Sequence, residues 1–154
     1  YDQPEMHVVG MRTRFFGIDS EKNNMALKLP QLWATFLPRL DEVPHRIGEG
    51  GYGVIQQTAA RADELEYWAA VPVTKIDRLP RGLTSLRVPA SRYARFAHRG
   101  LVANVNMTVN YIYSSWLLRS GMRHTYGCDL ELYGEEYQAD SDKSVIYYAI
   151  PIES

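Results

Sequence analysis

Two stretches of this chain echo each other, and the echo limits the possible folds more than any motif. "EYWAAVPV" ends at Val73 and "IYYAIPI" ends at Ile152. Tyr67-Trp68-Ala69 matches Tyr147-Tyr148-Ala149 at an offset of 80, and Pro72 matches Pro151 at an offset of 79. A second echo lies upstream, where Tyr52-Gly53 matches Tyr126-Gly127 at an offset of 74. A longer second hairpin loop accounts for the smaller value. Each echo is preceded by a helix candidate, and each helix candidate by a strand candidate.

In the first half, "MHVVGMRTRFF" alternates loosely and is rich in β-formers, as a strand should be. Leu29, Leu32, Trp33, Phe36 and Leu40 follow helical spacing. Pro30 suits a first helical turn, and Pro38 should end or kink the helix. "YGVIQQT" and "LEYWAAVPV" predict a hairpin around "AARADE". In the second half "LTSLRVPASRYARFAH" is strand-like. Val105, Val109, Ile112 and Trp116 mark one helix face, and Gly121 is placed to stop that helix. "CDLELY" and "SVIYYAIPI" predict a second hairpin around "GEEYQADSDK".

The order is therefore β-α-β-β twice, with no linker between. It predicts one α+β domain over residues 1–154, with pseudo-twofold repeats over about 5–75 and 83–154. An antiparallel sheet should carry both helices on one side and leave a central ligand groove between the halves.

Composition excludes several functions. The net charge is -1, and Arg78, Arg81, Arg87, Arg92, Arg95 and Arg99 are spread through strand and turn sequence. That pattern reads as a solvated face and not a nucleic-acid stripe. No apolar run reaches membrane length and no signal-peptide pattern opens the chain. The single cysteine, Cys128, cannot form an internal disulfide, which fits a reducing, cytoplasmic setting. The sequon Asn106-Met107-Thr108 then carries no weight. Eleven tyrosines and three tryptophans exceed what a core of this size needs and suit a pocket or interface. The chain begins at Tyr1 and not at methionine, as would a fragment, a domain cut from a longer protein, or a chain lacking its first residues.

Familiar catalytic patterns fail on context. "GEGGYG", Gly48 to Gly53, matches G-x-G-x-x-G, but a helix precedes it and a strand comes after, the reverse of a dinucleotide loop. It reads as a flexible turn. His7, His45, His98 and His124 show no paired spacing and Cys128 has no second cysteine, so no metal site or cofactor is expected. Cys128 reads as a small buried hydrophobe, and no G-x-S-x-G elbow occurs.

Glu131 is the residue that asks for an explanation. Alternation points Asp129, Glu131 and Tyr133 one way and Cys128, Leu130 and Leu132 the other. A solvated sheet face would account for that. The repeat favours another place. Extending the offset of 74 makes Glu131 the counterpart of Gln57, near the central groove.

These residues resemble a known family. "PEMHVVGMRTRF", "LPQLWATF", "LEYWAAVPV", "LRVPASRYARFAHRG", "YIYSSWLLRSGMR", "DLELY" and "YYAIPI" together are similar to the GyrI-like small-molecule-binding domain. That domain is also the effector-binding part of AraC-type and MerR-type transcription regulators. The resemblance implies a tandem β-α-β-β fold with a ligand groove between the halves. Its members bind small hydrophobic or cationic molecules; some inhibit DNA gyrase, and some hydrolyse cyclopropane-bearing genotoxins. It implies that Glu131 is the functional glutamate and Tyr52 a pocket tyrosine. Gly100, Val105 and about Ser144 stand where multidrug-responsive members carry aromatics, so the resemblance, which brings multidrug binding to mind, does not by itself imply that profile.

A carboxylate in an aromatic groove favours flat lipophilic cations. The expected ligand set is Glu131 with Tyr52, Trp68, Trp116, Tyr148 and Trp33. Trp68 and Tyr148 stand as repeat equivalents, and Trp33 and Trp116 also lie on apolar helix stripes. The expected function is a non-catalytic effector-binding domain of a transcription regulator, touching DNA only through a segment outside this chain. The alternatives are a standalone hydrolase with Glu131 as acid or base, and a gyrase-binding protein.

Overall fold

The computed structural model describes residues 1–16, 25–58 and 64–154. In chain order the elements are β1 (Asp2–Gln3), β2 (Met6–Phe16), α1 (Met25–Phe36) continued by a 3-10 turn (Leu37–Glu42), β3 (Gly51–Gln57) and β4 (Glu64–Val73). Next come β5 (Thr84–Val88), β6 (Ser91–Arg99), a second helix, β7 (Arg123–His124), β8 (Asp129–Tyr133) and β9 (Val145–Glu153). The second helix comprises α2 (Val105–Tyr111), a π turn (Ile112–Trp116) and α3 (Leu117–Ser120).

Local chemistry accounts for most boundaries. β9 is mostly β-branched and aromatic, and such residues recur through β2 and β4. Pro89-Ala90 separates β5 from β6, because proline cannot donate to a ladder. Gly121 ends the second helix at a φ of 76°, a left-handed conformation natural to glycine. Pro38 sits in the first turn of the 3-10 segment, where α1 stops. Pro30 differs from expectation: it lies inside α1, not in its first turn. Of "GEGGYG", only the beginning is a turn, since Gly51 and Gly53 belong to β3. The "AARADE" connection falls largely on residues 59–63, outside the described residues.

The strands form one antiparallel sheet in the order β1-β6-β9-β8-β3-β4-β2-β5. Its two ends are covalently joined. β1 leads into β2 and β5 into β6, while Gln3 pairs with Ser91 and Met6 with Val88. The sheet therefore curls back towards itself. This curl buries Val8, Val54, Val88, Leu130 and Ala149 on its inner face. The outer face carries the helices. Phe36 and Leu32 of α1 pack on Val9, Tyr67, Ala69 and Val71, and Ile112 and Trp116 pack on Tyr148, Ile150 and Ile152.

The middle of the strand order is palindromic: β6-β9-β8 mirrors β2-β4-β3 about the β3–β8 boundary. Register then decides which residues are equivalent. Val9 and Met11 of β2 and Ala94 and Phe96 of β6 all face helices, as do Val71 with Ile150 and Val73 with Ile152. Only the proline offset of 79 keeps these faces aligned. In addition, Pro72 accepts a hydrogen bond from the Ile47 amide and Pro151 one from the Thr125 amide. The offset of 80 at the tyrosines is thus a chance match. Trp68 corresponds to Tyr147, not Tyr148, because a one-residue slip turns every side chain to the opposite face. The same registers carry Gly53 onto Glu131, 78 positions on, so the counterpart of Glu131 is Gly53 and not Gln57. Among the described residues no helix is long and apolar enough to cross a membrane.

Candidate functional site

β3 and β8 meet at the centre of the sheet, with Gly53 directly opposite Glu131. α1 rests on β2 and β4, and the second helix on β6. The strip of sheet between them is bridged by side chains. Trp33 reaches in from α1 and Tyr113 from the π turn. A π turn inserts one residue into a helix and redirects the residues after it, and such turns recur at functional sites.

Glu131 is only 5% exposed. Its Oε1 accepts hydrogen bonds from the Tyr67 hydroxyl at 2.6 Å and the Tyr133 hydroxyl at 3.1 Å. The Tyr67 oxygen in turn accepts from Trp33 Nε1 at 2.8 Å. Oε2 has no partner among the described residues. No fully buried side-chain nitrogen or oxygen there lacks one, so Oε2 remains reachable by solvent. Burial pushes the Glu131 carboxyl above its ordinary value, the two tyrosine hydroxyls pull it back, and nearby Asp129 pushes it up again. Burial together with Glu131 drives both the Tyr67 and Tyr133 hydroxyls well above the usual tyrosine range.

The floor is shaped by two glycines. A Cβ on Gly53 would overlap Glu131 Oε1 and the Tyr67 hydroxyl, and one on Gly51 would lie 3.3 Å from the Trp33 ring. Glycine inside a strand is the usual mark of such close approach. The Trp33 and Tyr133 rings meet edge to face at 5.4 Å, and Tyr137 stands against Tyr133 at 5.1 Å. Glu131 thus sits among four rings on the helix side: Tyr67, Tyr133, Trp33 and, in the adjoining register position, Tyr148.

Asp129 shares this face but is otherwise occupied. Its Oδ2 accepts from the Tyr148 hydroxyl at 2.8 Å and from the Tyr113 hydroxyl. Its Oδ1 lies 2.7 Å from His124 Nε2. His124 Nδ1 accepts the Tyr126 amide at 2.8 Å, which leaves Nε2 as the donor to Asp129. Asp129 therefore ties β9, the π turn and β7 to the central strand.

The residues singled out from sequence do not form one cluster. Glu131, Trp33 and Tyr148 come together. Tyr52 and Trp68 lie on the opposite, inner face of the sheet, because they alternate with Gly53 and Tyr67 along their strands. Trp68 is 2% exposed, belongs to the interior core, and donates its Nε1–H to Glu66 Oε1 at 2.7 Å. Tyr52 packs at the margin of that core, and burial raises its hydroxyl above the ordinary value. Trp116 packs edge-on against Phe96 at 4.9 Å and helps seat the second helix. Sequence reasoning missed Gly53, Tyr67 and Tyr133 as partners of Glu131. The available signals were an interior strand glycine and the position of Tyr133 two residues from Glu131. No described group of three or more His, Cys, Asp or Glu side chains is placed to hold a metal ion.

Known proteins share this architecture. Residues 2–152 match the family model described as Cass2, integron-associated effector binding protein. The transcriptional regulator BrlR of Pseudomonas aeruginosa is 30% identical over 153 residues, which is 98% of this chain and 53% of BrlR. The chain thus spans about half the length of that relative. The structure of SAV2435 bound to tetraphenylphosphonium superposes with a TM-score of 0.74 at 15% identity, covering 100% of this chain and 92% of the other. The Vibrio cholerae integron cassette protein VCH_CASS2 gives 0.70 at 18% identity, covering 99% and 94%. The GyrI-like resemblance read from the seven motifs is upheld, and this chain is an effector-binding domain belonging to the family of integron-associated effector binding proteins.

Proposed function

We propose that this domain holds a lipophilic organic cation on the helix side of β3 and β8, with Glu131 as its counter-charge. One observation carries the reading. Glu131 is buried among aromatic rings, and no basic side chain pairs with it among the described residues. An unpaired carboxylate in such surroundings is costly, and a bound cation removes the cost. The rings of Trp33, Tyr133, Tyr67 and Tyr148 are the aromatic surfaces nearest that charge, and ring faces attract cations by about 0.5 to 2 kcal/mol each. Binding of tetraphenylphosphonium by the structural relative accords with the same ligand class.

In a longer protein, occupancy would be passed to a DNA-binding segment outside this chain, as befits kinship with a transcriptional regulator of nearly twice the length. A second reading is hydrolysis. The Tyr67 hydroxyl lies 2.6 Å from a carboxyl whose proton affinity burial has raised, a pairing suited to acid–base work.

The test is a titration with a cationic rhodamine and an anionic dye of similar size. The wild type should bind the cation and not the anion, and Glu131→Gln should lose most of the cation affinity. Equal affinity of the two proteins for the cation, or of one protein for both dyes, removes the counter-charge role. Turnover of a reactive ester or epoxide by wild type, lost in Glu131→Gln, would favour hydrolysis.

A further inference from the structure

The two oxygens of Glu131 are not equivalent, and the difference narrows the ligand. Oε1 already accepts two hydroxyl protons, from Tyr67 at 2.6 Å and Tyr133 at 3.1 Å. The Tyr67 oxygen also accepts the Trp33 Nε1–H, so this hydroxyl links the carboxylate to α1. Oε2 accepts nothing from the described residues, although the residue is 5% exposed. The other carboxylate on this face has a donor on each of its oxygens. Asp129 receives three donors, from Tyr148, Tyr113 and His124. Glu131 Oε2 is thus the carboxylate oxygen on this face that has no donor from the described residues, and it stands among rings.

Resting on the cation-binding reading, we propose that the domain selects a singly charged cation that carries its own N–H donor. A protonated amine or amidine attached to an aromatic body is that class; a fully substituted onium ion, the kind bound by the relative SAV2435, is the weaker fit. A protonated amine would give Oε2 a charge-assisted hydrogen bond, the strong kind. A quaternary ammonium or a phosphonium offers charge without a donor and would leave Oε2 desolvated and unpaired. A dication would bring a second charge to a face whose other carboxylate already takes three donors.

The experiment uses a matched pair, N,N-dimethyl-3,3-diphenylpropylamine and its N,N,N-trimethylammonium analogue. Each is titrated calorimetrically into wild type and Glu131→Gln at pH 7.5. Wild type should bind the protonated amine about tenfold or more tightly than the quaternary ion, the order expected of one hydrogen bond to a charged group. In Glu131→Gln, which offers an amide NH2 or a neutral oxygen, the ratio should fall towards one. The wild type supplies a second test that needs no variant. Raising the pH past the amine's own pKa should abolish its advantage and leave the quaternary ion unaffected, since Tyr67 and Tyr133 stay protonated there.

Equal affinity of the pair for wild type, or a preference that survives in Glu131→Gln, overturns the N–H requirement. If both ions bind equally and both are weakened alike by Glu131→Gln, the counter-charge role stands and only the N–H requirement falls. If neither is weakened, the cation reading itself falls.

Discussion

Gly53 and Glu131 face each other across the β3–β8 pair, and the carboxylate of one fills the space that a side chain on the other would need. They are also counterparts in the pseudo-twofold. Two carboxylates at these points would collide and repel. The glycine breaks the symmetry and leaves one charge at the centre of the sheet.

Gly53→Ala should therefore act on Glu131 and Tyr67 before it acts on the backbone. Overpacking of this kind costs about 1 to 3 kcal/mol. Urea unfolding should show that loss, and cationic-dye affinity should fall with it. The double variant Gly53→Ala/Glu131→Ala should lose less than the two single changes added together, by at least about 0.5 kcal/mol. Strict additivity would mean that the methyl does not meet the carboxylate.

Burial raises the Glu131 carboxyl above the 4.5 of an unperturbed glutamate. The folded state thus holds this proton more tightly than the unfolded state does. That contribution is fully present below the unfolded value and is lost as pH rises through the folded one. Glu131→Gln does not titrate, so its stability relative to wild type should climb with pH across this window in the absence of ligand. A flat difference between pH 4 and 8 in denaturant melts would contradict the shift. Cation binding should release protons in the same range, seen as a buffer-dependent calorimetric enthalpy.

Asp129→Asn should harm the fold more than Glu131→Gln. Asp129 collects donors from Tyr148, Tyr113 and His124, and an asparagine cannot accept all three. Leaving buried donors unpaired costs about 1 to 3 kcal/mol each. Thermal melts of the two variants at neutral pH should rank them in that order.

Cys128 should be inert in the native protein. It is 7% exposed, its Sγ donates to Gln56 Oε1 at 3.4 Å, and burial pushes its thiol up to about 11. Iodoacetamide at pH 7.5 should label it only at the rate of global opening and rapidly in denaturant. Fast native labelling would place the inner face of the sheet within reach of solvent.

The sequence alone determined much of this protein. Strand alternation in "DLELY" put Asp129, Glu131 and Tyr133 on one face, the twin β-α-β-β order set the fold, and Gly121 marked the end of the second helix. These are local properties, readable because each depends on neighbours a few residues away. Cross-strand register was decided only by the tertiary structure. The echo offered offsets of 80, 79 and 74, and packing selected 79 for the last strand of each half and 78 for the strand before it. Because side chains alternate with a period of two, the one-residue difference between 80 and 79 moved Trp68 to the interior and left Tyr148 beside Glu131. Trp33, Tyr67 and Tyr133 come from separate elements, and they converge on Glu131 only because the helices pack on the outer face of a sheet that curls around its own core.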